Sequence, residues 1–266
     1  MIQTILGDWN VAMEQQLRAE NPRVVAALAQ VVLRQRPRHL ATYQRLLRAC
    51  WLERRWEEGE EWGRRLLRAD PNNPFAWRAL ALASEQQEAR AQAHAIWQRA
   101  LEMDPYAPAI RAGLSRTSLL TAGHGALGEE QPVIMLNLAC LATLYMRGLR
   151  WELADQTYRR LLQADPRRVD FQVGLMVARW QQQARQSAYR MARQLTERHP
   201  HLLLAWIVLQ ALGDDNDRAL AQDPILTMDP DGDFASSWLG LHYEGHAHTL
   251  DVSKAEAELL QTHLLE

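Results

Sequence analysis

The sequence predicts an all-α protein, a solenoid of antiparallel helix pairs finished by a C-terminal capping helix. Three observations lead there. Prolines recur 34 residues apart, from Pro37 to Pro71, Pro71 to Pro105 and Pro166 to Pro200. Asp-Pro ends an apolar stretch three times, at Asp70-Pro71, Asp104-Pro105 and Asp165-Pro166. Proline lacks the N–H that a helix interior requires, and its ring clashes with the preceding turn, so each pair marks a stop. Between stops, a bulky residue at the fourth place and an apolar one at the seventh share one helical face.

The elements follow in order. A first, weaker unit spans 6–39 with Trp9 at the fourth place; 40–73 carries Tyr43 and Leu46, and 74–107 carries Trp77 and Leu80. The half unit 108–121 has Leu114 at the seventh place but no second helix, which ends the N-terminal stack at 1–121. Residues 122–132, "AGHGALGEEQP", read as a glycine-rich linker. Its Gly123, Gly125 and Gly128 match a dinucleotide turn in spacing only, since a helix precedes them and Glu129 and Glu130 would repel phosphate. A second stack, 133–212, holds units 135–168 (Leu138, Leu141) and 169–202 (Gln172, Leu175) and ends in a helix carrying Trp206 and Leu209. Residues 213–266 form a degenerate repeat and the closing helix. There Ser253 and Glu256 make a capping box, and Leu259, Leu260 and Leu264 form an apolar face expected to cover the last repeat. Such stacks bury their apolar faces only against neighbouring units, and Trp9, Trp77 and Trp206 are accordingly assigned to the core.

At these positions the chain resembles the tetratricopeptide repeat, a 34-residue helix–turn–helix with a W–L–G–Y…A…F/A…P pattern. Small or apolar residues fill the twentieth place (Val25, Gly59, Ala93, Ala154, Ala188). The family's glycine at the eighth place is missing; Leu47, Ala81, Ala142 and Met176 stand there. The resemblance implies a right-handed superhelix whose first helices line a concave, partner-binding groove. Carried over place by place, the groove residues are Arg48, Trp51, Arg55, Phe75, Arg78, Leu82, Met146, Arg147, Arg150, Val173, Val177 and Trp180. Arginines beside large apolar side chains suit an acidic, amphipathic protein segment. The family's clamp for a terminal carboxylate is absent, because Gln44 and Arg48, or Asn10 and Glu14, replace its Lys and Asn.

Composition narrows the remaining classes. With 47% hydrophobic residues a continuous core is within reach, and a formal net charge of −2 argues against a nucleic-acid binder. Cys50 and Cys140 lie in apolar helical stretches and read as small buried residues. No apolar run reaches the length of a membrane span, and "MIQTILGDWN" lacks the basic start of a signal peptide, leaving a cytoplasmic location by default. No nucleophile–base or paired-carboxylate arrangement emerges, so the expectation is a non-enzyme without cofactor. The run Asp229–Asp233 fails as a calcium loop, with glycine at the fourth place rather than the sixth. His242, His246 and His248 are the possible metal ligands, read instead as an exposed linker. The leading function is an interaction adaptor. Two alternatives stay open: a regulatory module controlled by the tail or the histidine segment, and self-assembly into a homo-oligomer.

Overall fold

The structure, a computed structural model, describes residues 1–121, 134–241 and 248–264. The linker glycines 123–128 and the histidines at 242 and 246 lie outside the described residues. The first helices are α1 (Leu6–Arg18), α2 (Pro22–Gln35), α3 (Leu40–Leu52), α4 (Trp56–Ala69), α5 (Pro74–Gln86), α6 (Arg90–Met103) and α7 (Pro108–Thr121). There follow α8 (Leu138–Arg147), α9 (Trp151–Ala164), α10 (Val169–Gln181), α11 (Arg185–Arg198), α12 (Leu203–Leu212), α13 (Asp215–Met228), α14 (Asp233–Leu239) and α15 (Lys254–Leu264). Consecutive helices pack on one another, and α8 continues the stack by packing on α6. Cys140 lies in one cluster with Trp97, Leu101, Ile110 and Leu114, and the Thr143 hydroxyl donates to the Glu102 carbonyl at 2.7 Å.

The 34-residue period is written into the backbone. Glu20, Arg54, Glu88, Leu149 and Gln183 all have φ between 56° and 61°, and each ends the first helix of a pair. The hydrogen bonds form a Schellman motif: Arg54 N–H reaches the Trp51 carbonyl and Arg55 N–H the Cys50 carbonyl. The same pattern returns at Leu149–Arg150 with Met146 and Tyr145. Left-handed backbone is costly for any residue with a Cβ, yet none of these five positions holds glycine.

The proline stops are joined to the next unit by a side chain. The Trp77 indole N–H donates to the Pro71 carbonyl and Trp206 to the Pro200 carbonyl, both at 2.9 Å. Gln172 donates to the Pro166 carbonyl at 2.7 Å, Arg111 to Pro105 at 3.3 Å, and the Tyr43 hydroxyl to Pro37. This corrects the assignment of Trp77 and Trp206 to the core. Trp9 is fully buried, whereas Trp77 and Trp206 are only half-buried because their N–H groups must reach a carbonyl at the edge of the joint.

Close approach between units falls at the sixth place of the unit. A Cβ on Gly113 would overlap the Trp97 ring, and one on Gly174 would overlap Tyr158. In both joints a ring at the twenty-fourth place of one unit fills the space that glycine leaves in the next. Between α4 and α5 the sizes are reversed, with Gly63 facing Ala79 and Leu80.

Strands β1 (Ile2–Ile5) and β2 (Thr249–Val252), absent from the sequence expectation, pair antiparallel with Ile2 opposite Val252 and Ile5 opposite Thr249. Leu6 N–H extends the tie to the His248 carbonyl at 2.7 Å. The capping box forms: Ser253 N–H donates to Glu256 at 2.8 Å and Glu256 N–H to the Ser253 hydroxyl at 3.3 Å. The expectation that this helix covers the last repeat is corrected. Ala257 and Leu260 are buried with Leu6, Trp9 and Val25, so α15 caps the first unit, where β1–β2 pairing delivers it.

Because Leu149 is 67% exposed and held at φ 56°, its side chain contributes little to offset the backbone. Leu149→Gly should raise stability by about 0.5–1 kcal/mol, and Leu149→Val should lower it by about 1 kcal/mol. Urea denaturation of both variants checks this; a destabilised glycine variant would refute the account of the turn.

Candidate functional site

The first helices of successive pairs, α1, α3, α5, α8 and α10, carry the residues expected to form a groove, and the structure sorts these into three groups. Arg48 and Phe75 line a cavity of about 190 Å³ with Gln44, Arg45, Glu14 and Asp233. Beside it the Trp51 ring lies 5.9 Å from Phe75, and the Arg78 guanidinium sits 4.4 Å over Trp51. Met146, Arg147 and Val177 line a second cavity of about 250 Å³, walled by Trp238 and floored by Tyr158 and Gly174. The third group lies elsewhere. Arg55 pairs with Glu53 at 2.7 Å and with Glu58 at the α3–α4 turn, Arg150 is exposed at the α8–α9 turn, and Leu82 packs toward α6 and α7. Val173 and Val177 are both buried in the largest core cluster; Val173 supports the face from beneath, while Val177 also reaches the second cavity.

Several groove arginines already have internal partners. Arg48 is 2.7 Å from Glu14 and Arg147 is 2.8 Å from Asp104; outside the expected groove set, Arg116 of α7 makes two bonds to Glu85. Arg78 has no ion pair among the described residues, and burial lowers its pKa. Deeper in, Arg168 holds Glu102 at 2.7 Å and Asp170 at 2.6 Å, with Arg99 beside both. Burial raises the pKa of each acid while Arg99 opposes the shift, so this cluster reads as a joint between α6 and α10.

What lies across the inner face is the chain's own segment 229–241. Asp229-Pro230 stops α13 as Asp70-Pro71, Asp104-Pro105 and Asp165-Pro166 stop their helices, whereas Asp223-Pro224 lies within α13. The Asp229 carboxylate then accepts from the N–H groups of Phe234 and Ala235 at 3.2 and 3.0 Å, capping α14, while Gly232 turns the chain at φ 74°. Asp231 accepts from Asn10 at 2.6 Å and lies 3.6 Å from the buried His39. Burial works against its charge, but the hydrogen bond and field of His39, with His248 and Asn10, hold Asp231 below the ordinary value. Asp233 faces Arg45 and Arg48. Phe234 and Leu239 are buried in the core cluster that includes Tyr43, Val173 and Val177. At the far end the Trp180 indole donates to the Leu239 carbonyl at 3.2 Å.

Sequence reasoning passed over this segment by testing it only as a calcium loop. Its signal is three acids, Asp229, Asp231 and Asp233, followed by Phe234, Trp238 and Leu239, an acidic and then apolar pattern like that expected of a partner. His248, one of the histidines considered for metal, sits beside Asp231 instead; among the described residues no group of three His, Cys, Asp or Glu is placed to hold a metal. Among the same residues no helix is long and apolar enough to cross a membrane. No family model matches the chain, and no curated protein matches it.

Asp70 sits under α14. Burial pushes its carboxyl up to about 6, against the pull of Asn72 N–H, the Asn73 side chain and the Trp238 indole. A carboxylate whose folded pKa lies above its unfolded value of ~3.9 loses stability as pH rises through that window. Asp70→Asn, which mimics the protonated form, should therefore be more stable than the parent at pH 7.5, by up to about 3 kcal/mol. The difference should fade by pH 4. Denaturation at both pH values tests this, and a parent more stable at pH 7.5 would contradict it.

Proposed function

We propose that the protein is a non-catalytic interaction adaptor of the tetratricopeptide kind, which binds an acidic, amphipathic protein segment on the inner face of its helix pairs. One observation carries the reading. The segment that crosses this face has the chemistry inferred for a partner: three aspartates directed at Asn10, His39, Arg45 and backbone N–H groups, followed by Phe234, Trp238 and Leu239 seated on apolar side chains. Residues 229–241 act as a resident occupant, and a partner of like chemistry displaces them.

The physics favours such an exchange. Desolvated arginine–carboxylate contacts contribute more than exposed ones, and aromatic anchors supply much of the binding energy at protein interfaces. Trp51, Phe75 and Arg78 form a ready stacking surface, and the two cavities flanking α14 leave room for side chains that the resident segment does not fill. A tethered occupant competes at an effective concentration on the order of millimolar, so it masks weak partners and yields to strong ones.

A labelled peptide of residues 228–241, titrated against the intact chain and against the Phe234→Ala/Trp238→Ala double variant, tests the proposal by fluorescence anisotropy. The double variant should bind the peptide at least tenfold more tightly than the parent, because its own segment no longer holds the face. Adding Arg45→Glu should weaken that binding, and Arg64→Glu, on an exposed helix surface, should leave it unchanged. Indistinguishable affinities for parent and double variant would overturn the reading.

A further inference from the structure

A cavity of about 280 Å³ opens where the α2–α3 turn and α4 meet the α11–α12 turn and the end of α13. Arg38 comes from the α2–α3 turn, Arg65 and Arg68 from α4, and His201 from the α11–α12 turn; Leu40, Tyr43, Ala69 and Met228 supply the apolar walls. No carboxylate lines it. Three guanidinium groups on one small cavity repel one another unless a counter-charge joins them.

The donors are arranged and largely unspent. Arg65 is fixed from outside the cavity by Glu61 at 2.5 Å and by stacking over Trp62, 4.6 Å from the ring centre. Arg38 Nη2 lies 2.8 Å from His201 Nδ1. A guanidinium can only donate, so Nδ1 accepts and the proton of a neutral His201 resides on Nε2, which remains a donor. Arg68 makes no ion pair or hydrogen bond among the described residues. The helices α3 and α12 also begin at this seam, and neither N-terminus has a side-chain cap.

We propose that this cavity binds a small phosphomonoester. Its dianionic phosphate is held by Arg38, Arg68 and the His201 Nε2–H, with Arg65 at the edge, and its carbon portion rests on Leu40, Tyr43 and Met228. Arginine suits this role, since its planar fork donates two bonds to a phosphate at once. The site joins α3–α4 to the α11–α12 turn, so an occupied site ties together the two halves of the closure. Its apolar walls belong to the core cluster on which Phe234 and Leu239 also rest, but Arg38, Arg65, Arg68 and His201 take no part in the proposed partner-binding face, so either proposal can fail alone.

Inorganic phosphate and phenyl phosphate, titrated against the intact protein by calorimetry and thermal unfolding, provide the test, with sodium chloride at matched ionic strength as reference. Both phosphates should bind saturably and raise Tm beyond the chloride control, and phenyl phosphate should bind several-fold more tightly than inorganic phosphate. Arg68→Gln should weaken binding at least tenfold and, because Arg68 makes no bond in the free protein, should leave the unliganded Tm unchanged. Arg38→Gln should weaken binding likewise, and Arg64→Gln should bind as the parent does. A Tm rise that chloride reproduces, or parental affinity in both Arg38→Gln and Arg68→Gln, would overturn the site. Equal affinity for the two phosphates would overturn the assignment to a phosphomonoester.

Discussion

Each proline that stops a helix leaves a carbonyl at the joint between units, and the arrangement of the chain follows from how that carbonyl is met. A backbone carbonyl outside the helix ladder still needs a donor, and here it comes from the fourth residue of the next unit, whether Tyr43, Trp77, Arg111, Gln172 or Trp206. The residue type varies while the donor stays. Because the donor is fixed six residues beyond the proline, it sets the rotation of each first helix relative to the joint. First helices thereby turn the same side inward, and rings at Trp97 and Tyr158 find glycine opposite them in the next pair.

Repetition of one joint curves a stack without ending it. Here the ends are brought together by four residue pairs between β1 and β2 and by α15 seated on α1 and α2. Closure covers the first unit's apolar face, which a solenoid otherwise exposes, and it stretches residues 229–241 across the inner face on the way. The ion pairs share this logic. Arginines at the outer turns pair with acids of their own neighbourhood, as Arg55 does with Glu53 and Glu58. Arg45, at the centre, is half-buried; desolvation lowers its pKa, and the charges of Glu14 and Asp233 oppose the shift.

The helix pairs were legible because their signals are local and periodic: a proline, a donor and a leucine at fixed offsets need no knowledge of the rest of the chain. The capping box at Ser253 and Glu256 was legible for the same reason. The left-handed turns at Arg54, Glu88 and Leu149 were not, since glycine, the usual sign, is missing and helix packing on both sides imposes the conformation. Pairing of Ile2–Ile5 with Thr249–Val252 was hidden as well, because two four-residue runs at opposite ends of the chain carry no mutual signal. Without that pairing α15 had no visible destination but the last repeat. Of the residues carried over as a groove, Arg55 and Arg150 fall at turns, and a face lined by Val173 and Val177 reads the same from the sequence whether solvent or the chain itself covers it. Arg38, Arg68 and His201 escaped notice because only closure brings them together.

The claim on which this account turns is that residues 229–241 occupy the inner face of the intact protein. Residue-resolved hydrogen exchange measures it most directly. The account predicts strong protection at the amides of Phe234 and Ala235 and along α14, comparable to that of α10 beneath it and lowered selectively by Trp180→Ala. Exchange at the rates of an unstructured peptide across residues 233–240, with α3 to α6 still protected, would contradict it.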